Sequence, residues 1–193
     1  MHFQTVSSGV IPQIALVMGP CAGALSLSAN VSDFVLMVKD TSQMQMAPYK
    51  EKDPGNAKMH WEKSGSCDLM LKDDEECIET CKTLLSFLSS NNKNEPPVID
   101  NDDPVDRADE ELMDLAPGNP KRYFDMRKII RKVVDNNDYL EMKKAYARNL
   151  TTGFARFDGK SVGIIGNNSI HLAGCETTNS SDKHARFTRF CDA

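Results

Sequence analysis

Six cysteines occur in 193 residues, yet no two are spaced as a Cys-x-x-Cys pair. A structural zinc site normally shows two close ligand pairs, so none is expected here. Cys77 and Cys81, four apart with His60 and Cys67 nearby, come nearest to one. The thiols of Cys21, Cys67, Cys77, Cys81, Cys175 and Cys191 read as reduced side chains of an intracellular protein. No apolar run reaches the roughly 18 residues that suggest a membrane span. The stretch Met1-His2-Phe3-Gln4-Thr5-Val6-Ser7-Ser8 carries neither a signal-peptide apolar region nor an arginine-rich transit pattern. Aromatic residues make up only 7%, and the net charge is −5, so neither nucleic acid nor an anionic membrane is expected as a partner. A Ser/His/Asp grouping is also missing.

The stretch Ile11 to Ala24 organises what is present. Ile14 to Met18 is a short apolar run closed by Gly19 and Pro20, which predicts a buried strand and a tight turn. Small residues, Ala22-Gly23-Ala24, stand where the following helix, about Ala22 to Asn30, begins. The first backbone N–H groups of a helix lack intrahelical partners and point at whatever lies there. Two readings follow: a close-packed corner without chemistry, or a nest of amides for a developing oxyanion.

Asp33 to Val38 predicts a second strand, parallel to the first, and Gln43-Met44-Gln45-Met46 a half-exposed one whose methionines fill core gaps. His60 reads as a base, a ligand or a satisfied loop residue. Asp68 to Leu71 is a short strand. Asp73 caps a helix, with Glu76 as capping-box partner and an apolar stripe of Cys77, Cys81, Leu84, Leu85 and Leu88. From Asn91 to Pro120 nine acids face two bases, with five prolines, which predicts a solvated linker or an acidic interaction tail. Residues 121–193 hold fourteen Lys and Arg against eight acids. There Asp125 caps a helix with Met126, Ile129, Ile130, Val133 and Val134 on one face. Arg127, Lys128, Arg131 and Lys132 line the other, read as a solvated face, a nucleic-acid surface or a contact for the phosphates of a small ligand. Asp158-Gly159 predicts a hairpin between Leu150–Phe157 and Lys160–Ile165, and Ser180 or Ser181 a cap for the last helix.

The run Gly19-Pro20-Cys21-Ala22-Gly23, followed by Asp33 to Ser42, resembles the β-type carboxyltransferase subunits of biotin-dependent acyl-CoA carboxylases. Gly55, Ala57, His60, Ser64 and Gly65 match a second family segment, with Asn56 in place of a glycine. Ser66-Cys67-Asp68 stands where the family has a histidine, and about ten family residues, including a Thr-Gly-Pro turn that lines the acyl-CoA pocket, are missing between Ser42 and Gly55. Further on, Asn149, Thr152 to Arg156, Gly159, Val162 to Ile164, Gly166-Asn167, Gly174-Cys175, Asn179 to Ser181, Lys183, Ala185 to Phe187 and Arg189 to Ala193 continue the likeness. His184 replaces a small residue there. Lys82 to Pro97, and the absence of an insertion between Pro20 and Gly23, place the resemblance with the propionyl-CoA type rather than the methylcrotonyl-CoA branch.

The resemblance implies an α/β, crotonase-like (ClpP/crotonase) fold. Residues 1–90 would be the later part of an N-terminal domain, 91–120 the linker, and 121–193 the start of a C-terminal domain. It implies transfer of a carboxyl group from carboxybiotin, carried on a biotin-containing α subunit, to the α-carbon of a short acyl-CoA through an enolate. Gly23 and Ala24 would be the backbone oxyanion hole for the thioester, with Ala24 replacing a family glycine, and the biotin-side pair would lie beyond Ala193. Partners would be the α subunit and other β subunits in a hexameric core, in the mitochondrial matrix of a eukaryote or the cytoplasm of a bacterium. Family subunits are more than twice as long, so a fragment or truncated isoform is expected. The alternatives are a non-catalytic homologue that only assembles with full-length subunits, and a stand-alone crotonase-like hydrolase or isomerase.

Overall fold

The computed structural model describes residues 2–47, 55–104, 106–115, 118–119 and 122–193. Pro48, Pro117 and Pro120, and most of the shortened loop between Ser42 and Gly55, lie outside the described residues. Two compact units are formed: Met1–Glu95 with Lys143–Tyr146 and Ala193, and Pro96–Met142 with Ala147–Asp192.

In the first unit α1 (His2–Ser7) leads to β1 (Ile14–Val17), β2 (Pro20–Ala22), α2 (Ala24–Asn30), β3 (Phe34–Val38) and β4 (Gln43–Gln45). Then α3 (Ala57–Met59) runs into a π-helical turn, His60–Ser64, and on to β5 (Leu69–Leu71) and α4 (Asp74–Leu85). The main sheet is parallel, in the order β1-β3-β5, with Ile14 opposite Phe34 and Leu36 opposite Leu69. Every residue of β3 is buried, which is why its sequence is apolar throughout rather than alternating. β2 and β4 form a second, two-stranded parallel sheet. The expected Gly19–Pro20 turn is therefore confined to Gly19. Pro20 opens a strand, where its missing N–H costs no ladder bond, and the helix starts two residues later than expected. Met44 is 1% exposed but Met46 is 61% exposed, so only the first fills the core.

Asp73 caps α4 as expected, accepting from the Glu76 amide at 2.9 Å. Glu76 reaches back to the Lys72 amide at 2.6 Å, one residue before the cap. Cys77, Leu84 and Leu88 are buried, but Leu85 is 50% exposed and Phe87, beyond the helix end, takes the core position instead.

Asp68, just before β5, holds the unit at its centre. Its Oδ2 accepts from the Val35 amide at 2.8 Å, and its own amide donates to the Val35 carbonyl at 2.8 Å. Its Oδ1 lies 2.9 Å from Lys143 Nζ, with both side chains buried. The Lys143 amide donates to the Asp68 carbonyl at 2.8 Å, while Nζ also donates to the Gly65 carbonyl. Tyr146 packs over Gly65, where an added Cβ would lie 2.7 Å from the ring, so that position demands glycine.

The second unit contains α5 (Glu111–Leu115), α6 (Met126–Val133), a 3₁₀ turn (Asp135–Asn137), β6 (Tyr139–Met142), β7 (Leu150–Phe157), β8 (Lys160–Asn167) and α7 (Thr178–Asp192). β6, β7 and β8 form an antiparallel meander. β7 is covered on both faces: Ala155 joins a cluster with Ile130, Val134 and Tyr139, while Phe154 meets the Phe187 ring of α7 at 5.1 Å between centroids. The hairpin at Asp158-Gly159 has φ of 52° and 72°, as its sequence predicts. Asp125 caps α6, accepting from the Arg127 amide at 3.2 Å. Val133, however, is 47% exposed rather than on the apolar face. α7 begins before Ser180; Thr177 Oγ1 accepts from the Ser180 amide at 3.3 Å and acts as its cap.

Among its described residues the acidic stretch has little regular structure but is not simply solvated. Arg107, paired with Asp103 at 2.6 Å, donates to the Lys132 and Val134 carbonyls at 3.0 Å each, closing the C-terminus of α6. Lys132 meets Asp109 at 3.1 Å and Glu111 at 2.7 Å. Arg127 lies between Asp125 and Glu141, and Arg131 over the Tyr139 ring. Three of the four cations of α6 are thus engaged within the unit.

Removing one partner of a buried ion pair leaves the other charge uncompensated, at a cost of about 3–5 kcal/mol. Lys143→Met is expected to lower stability to urea by about this much. The double variant Asp68→Asn/Lys143→Met is expected to lose less than the two single losses added together, in the same denaturation series.

Candidate functional site

β1 delivers the chain to Gly19, and the pairing of β2 with β4 then aims it at the start of α2. Pro20, Cys21 and Ala22 lie opposite Gln43, Met44 and Gln45. Gly23 makes the final bend with φ 62° and ψ −131°, a conformation that L side chains rarely adopt, and nothing lies within 4 Å of where its Cβ would be. Its carbonyl accepts the first helical bond, from the Leu27 amide at 3.2 Å.

The two sequence-expected donors are not equivalent here. The Gly23 amide already donates to the Gln45 carbonyl at 2.9 Å, so it continues the β2–β4 ladder. The Ala24 amide has no such acceptor among the described residues, and Ala24 is exposed. No side chain caps α2 either. The corner thus offers an open backbone amide at Ala24, beside a Gly23 face free of side chains. Cys21 sits beneath it against the core, and burial pushes its thiol up from the ordinary range.

His60 is brought close to this corner by β4 rather than by its neighbours in sequence. Gly55 accepts from the Met44 amide at 2.7 Å, and Asn56 Oδ1 caps α3 through the Met59 amide at 2.8 Å. The buried His60 ring then sets Nε2 2.7 Å from the Met44 carbonyl and Nδ1 2.8 Å from Ser64 Oγ. The ring is thus held through both of its nitrogens. Its hydroxyl partner was not visible in the sequence because a helical His and Ser four apart rarely signal anything beyond a shared face. The π-helical turn brings these two into contact.

Among the described residues no group of three or more His, Cys, Asp or Glu side chains could hold a metal ion. Cys67 is fully buried, and desolvation, with the Asp68 carboxylate adding, pushes its thiol up to about 12. Cys77 is pushed up to about 11 by burial and by Cys81. Neither is a nucleophile at neutral pH. Asp68 and Lys143, which sequence reading left out as a pair, carry structure rather than chemistry. In the second unit Asn149 donates to the Cys175 carbonyl at 2.7 Å and to Ser180 Oγ at 2.9 Å. Lys183 Nζ donates to the Leu150 carbonyl at 2.7 Å, so these matched residues tie α7 to β7. No helix among the described residues is long and apolar enough to cross a membrane.

The carboxyl transferase domain family profile matches residues 2–193. The methylmalonyl-CoA decarboxylase subunit alpha of Veillonella parvula is 44% identical over 98% of this chain and 39% of its own length. The propionyl-CoA carboxylase beta chain of Roseobacter denitrificans is 39% identical over 97% of this chain and 39% of its own. The crystal structure of transcarboxylase 12S, a hexamer with methylmalonyl-CoA and methylmalonic acid bound, superposes with a TM-score of 0.93 at 39% identity. It too is matched over 98% of this chain and 39% of its own, and the chain has its crotonase-like α/β fold. The chain therefore spans about two fifths of these relatives, being 39% of each.

The raised thiols fix a pH response. Below pH 9.0 Cys67 is neutral both folded and unfolded. Between 9.0 and about 12 only the unfolded chain loses the proton, so stability falls as pH rises. The unfolding free energy of the first unit, read from urea denaturation, is expected to drop across this window by up to about 1.4 kcal/mol per pH unit from Cys67. Cys67→Ala is expected to remove that part of the slope.

Proposed function

Since the chain belongs to the carboxyl transferase domain family, we propose that it takes part in moving a carboxyl group between biotin and the α-carbon of a short acyl-CoA. The observation that carries this reading is the corner at Gly23-Ala24, lying within a chain that matches the family from residue 2 to residue 193. Gain and loss of the carboxyl group both pass through an enolate, with negative charge on the thioester oxygen. Relatives named as a carboxylase and as a decarboxylase therefore make the same electrostatic demand on the site.

The chain meets that demand with the Ala24 amide, a preorganised donor worth about 3–4 kcal/mol to a developing oxyanion. Gly23 aims this donor and keeps its approach clear. Its own amide joins as a second donor only where the thioester oxygen displaces the Gln45 carbonyl. No acid or base side chain is needed at the oxygen, in keeping with a corner lined by Ala22, Gly23 and Ala24.

Carboxybiotin on a biotin-containing α subunit supplies the carboxyl group. Other β-type subunits complete the assembly, consistent with the hexameric core described for transcarboxylase 12S. The Gly23-Ala24 corner favours this over a purely assembling homologue. Residues 1–90, 91–120 and 121–193 serve as the later part of one carboxyltransferase domain, a linker and the start of the next. The compartment is the mitochondrial matrix in a eukaryote, where relatives from pig and human are named mitochondrial, and the cytoplasm in a bacterium.

The test is thermal melting of the purified chain with and without propionyl-CoA. Ligand at a hundred times its Kd is expected to raise the Tm by roughly 5–10 °C. Ala24→Pro removes only an N–H at the first helical position, where proline is tolerated, and is expected to abolish the shift. Ala24→Gly, which restores the family residue, is expected to keep it. A Tm indifferent to propionyl-CoA at millimolar concentration would sink the reading.

A further inference from the structure

The contact between His60 and Ser64 is not used by the reading above, and its geometry has chemical content. The Met44 carbonyl can only accept, so His60 Nε2, 2.7 Å away, carries the ring proton. In the neutral imidazole Nδ1 is then a bare lone pair. Ser64 Oγ lies 2.8 Å from it and is the donor, the His60 carbonyl being a second, longer acceptor at 3.5 Å. The ring is buried, and its backbone is tied at both ends: its amide donates to the Asn56 carbonyl at 3.2 Å, and its carbonyl accepts from Cys67 at 3.3 Å. Ser64, by contrast, is exposed.

A hydroxyl bonded to a base whose far nitrogen is held by a third group is the arrangement that activates a serine nucleophile. Here a backbone carbonyl takes the orienting role that a carboxylate fills elsewhere. Two further features fit. The Ser66 amide donates to Ser64 Oγ at 3.3 Å, stabilising negative charge as the proton leaves. Lys143 Nζ holds the Gly65 carbonyl, so the Gly65–Ser66 peptide, whose amide faces Ser64 Oγ, is fixed in place. The pair sits on a π-helical turn, a form that appears frequently at functional sites.

We propose that Ser64, with His60 as its base, is a nucleophile that takes acyl groups from small activated esters or thioesters. Ser64 Oγ bonds to the acyl carbon as its proton passes to His60 Nδ1. The bond to the leaving oxygen or sulfur then breaks, and the leaving group departs as the anion or takes that proton. Where the leaving group departs as the anion, Nδ1 first releases its proton to solvent; it then takes a proton from the attacking water and returns it to Ser64 Oγ as the acid leaves. No oxidant, reductant or metal enters.

The test uses the full chain and p-nitrophenyl acetate, which is not a CoA ester, so its outcome is separate from that of the carboxyl-transfer reading. A burst of p-nitrophenolate is expected, with one acetyl group found by mass spectrometry on the peptide containing Ser64. Ser64→Ala, at an exposed position and melting like the parent chain, is expected to lose both. Ser64→Cys is expected to keep the labelling. His60→Gln is expected to slow the burst by about 10²–10⁴-fold. A burst unchanged by Ser64→Ala, or acetyl groups found instead on Lys58 and Lys63, would overturn the proposal and leave the His60–Ser64 bond a structural one.

Discussion

The first unit depends on one buried carboxylate. Asp68 meets the central strand through both directions of hydrogen bonding with Val35, and meets a distant lysine through its other oxygen. Hydrophobic burial alone would let β5 slide along β3, because Leu69, Met70 and Leu71 are near-equivalent apolar residues. A carboxylate that must face one amide and one ammonium removes that freedom. Lys143 passes the constraint on to the Gly65 carbonyl, and so to the turn that carries Ser64 and His60. The chemistry of the unit is thus positioned by a group that takes no part in it.

The Gly23 corner follows a similar logic with different means. Here the proposed functional group is the backbone, and the side chains are notable for being small. A two-stranded ladder, β2 with β4, uses up the Gly23 amide and leaves the Ala24 amide open. The same short β4 supplies the Met44 carbonyl to His60. One three-residue strand therefore sets the geometry of both the backbone donor and the imidazole, although Gln43-Met44-Gln45 looks unremarkable as sequence.

What was legible in the sequence was what local patterns encode. β1, β3 and β5 announced themselves by apolar runs, α4 and α6 by Asp73 and Asp125, and the β7–β8 hairpin by Asp158-Gly159. What was not legible came from partners far along the chain. β2 contains a proline and only three residues, so only its pairing with β4 makes it a strand. β6, Tyr139 to Met142, carries Glu141 inward to meet Arg127 and Thr151, a polar residue where alternation would put an apolar one. Lys143 and Ala147 adopt positive φ, which their residue types do not advertise. Ser64 entered from the sequence only as a match to a family segment, and its contact with His60 comes from the π turn. The family likeness singled out Gly23 and Ala24 together, yet the strand pairing that separates their roles lies twenty residues downstream.

The place of Lys143 has a consequence for how the chain is made. Gly65 and Lys143 are 78 residues apart, and the first unit includes Lys143 to Tyr146. At roughly 5–20 residues per second, synthesis of the intervening chain takes roughly 4–16 s. During that interval Asp68 has been made but its counter-charge has not, and the surface that Tyr146 will cover over Gly65 remains bare. The first unit cannot finish folding as it leaves the ribosome, so the nascent chain waits in a state that chaperones would recognise. Completion of its core is timed by the arrival of four residues encoded well downstream.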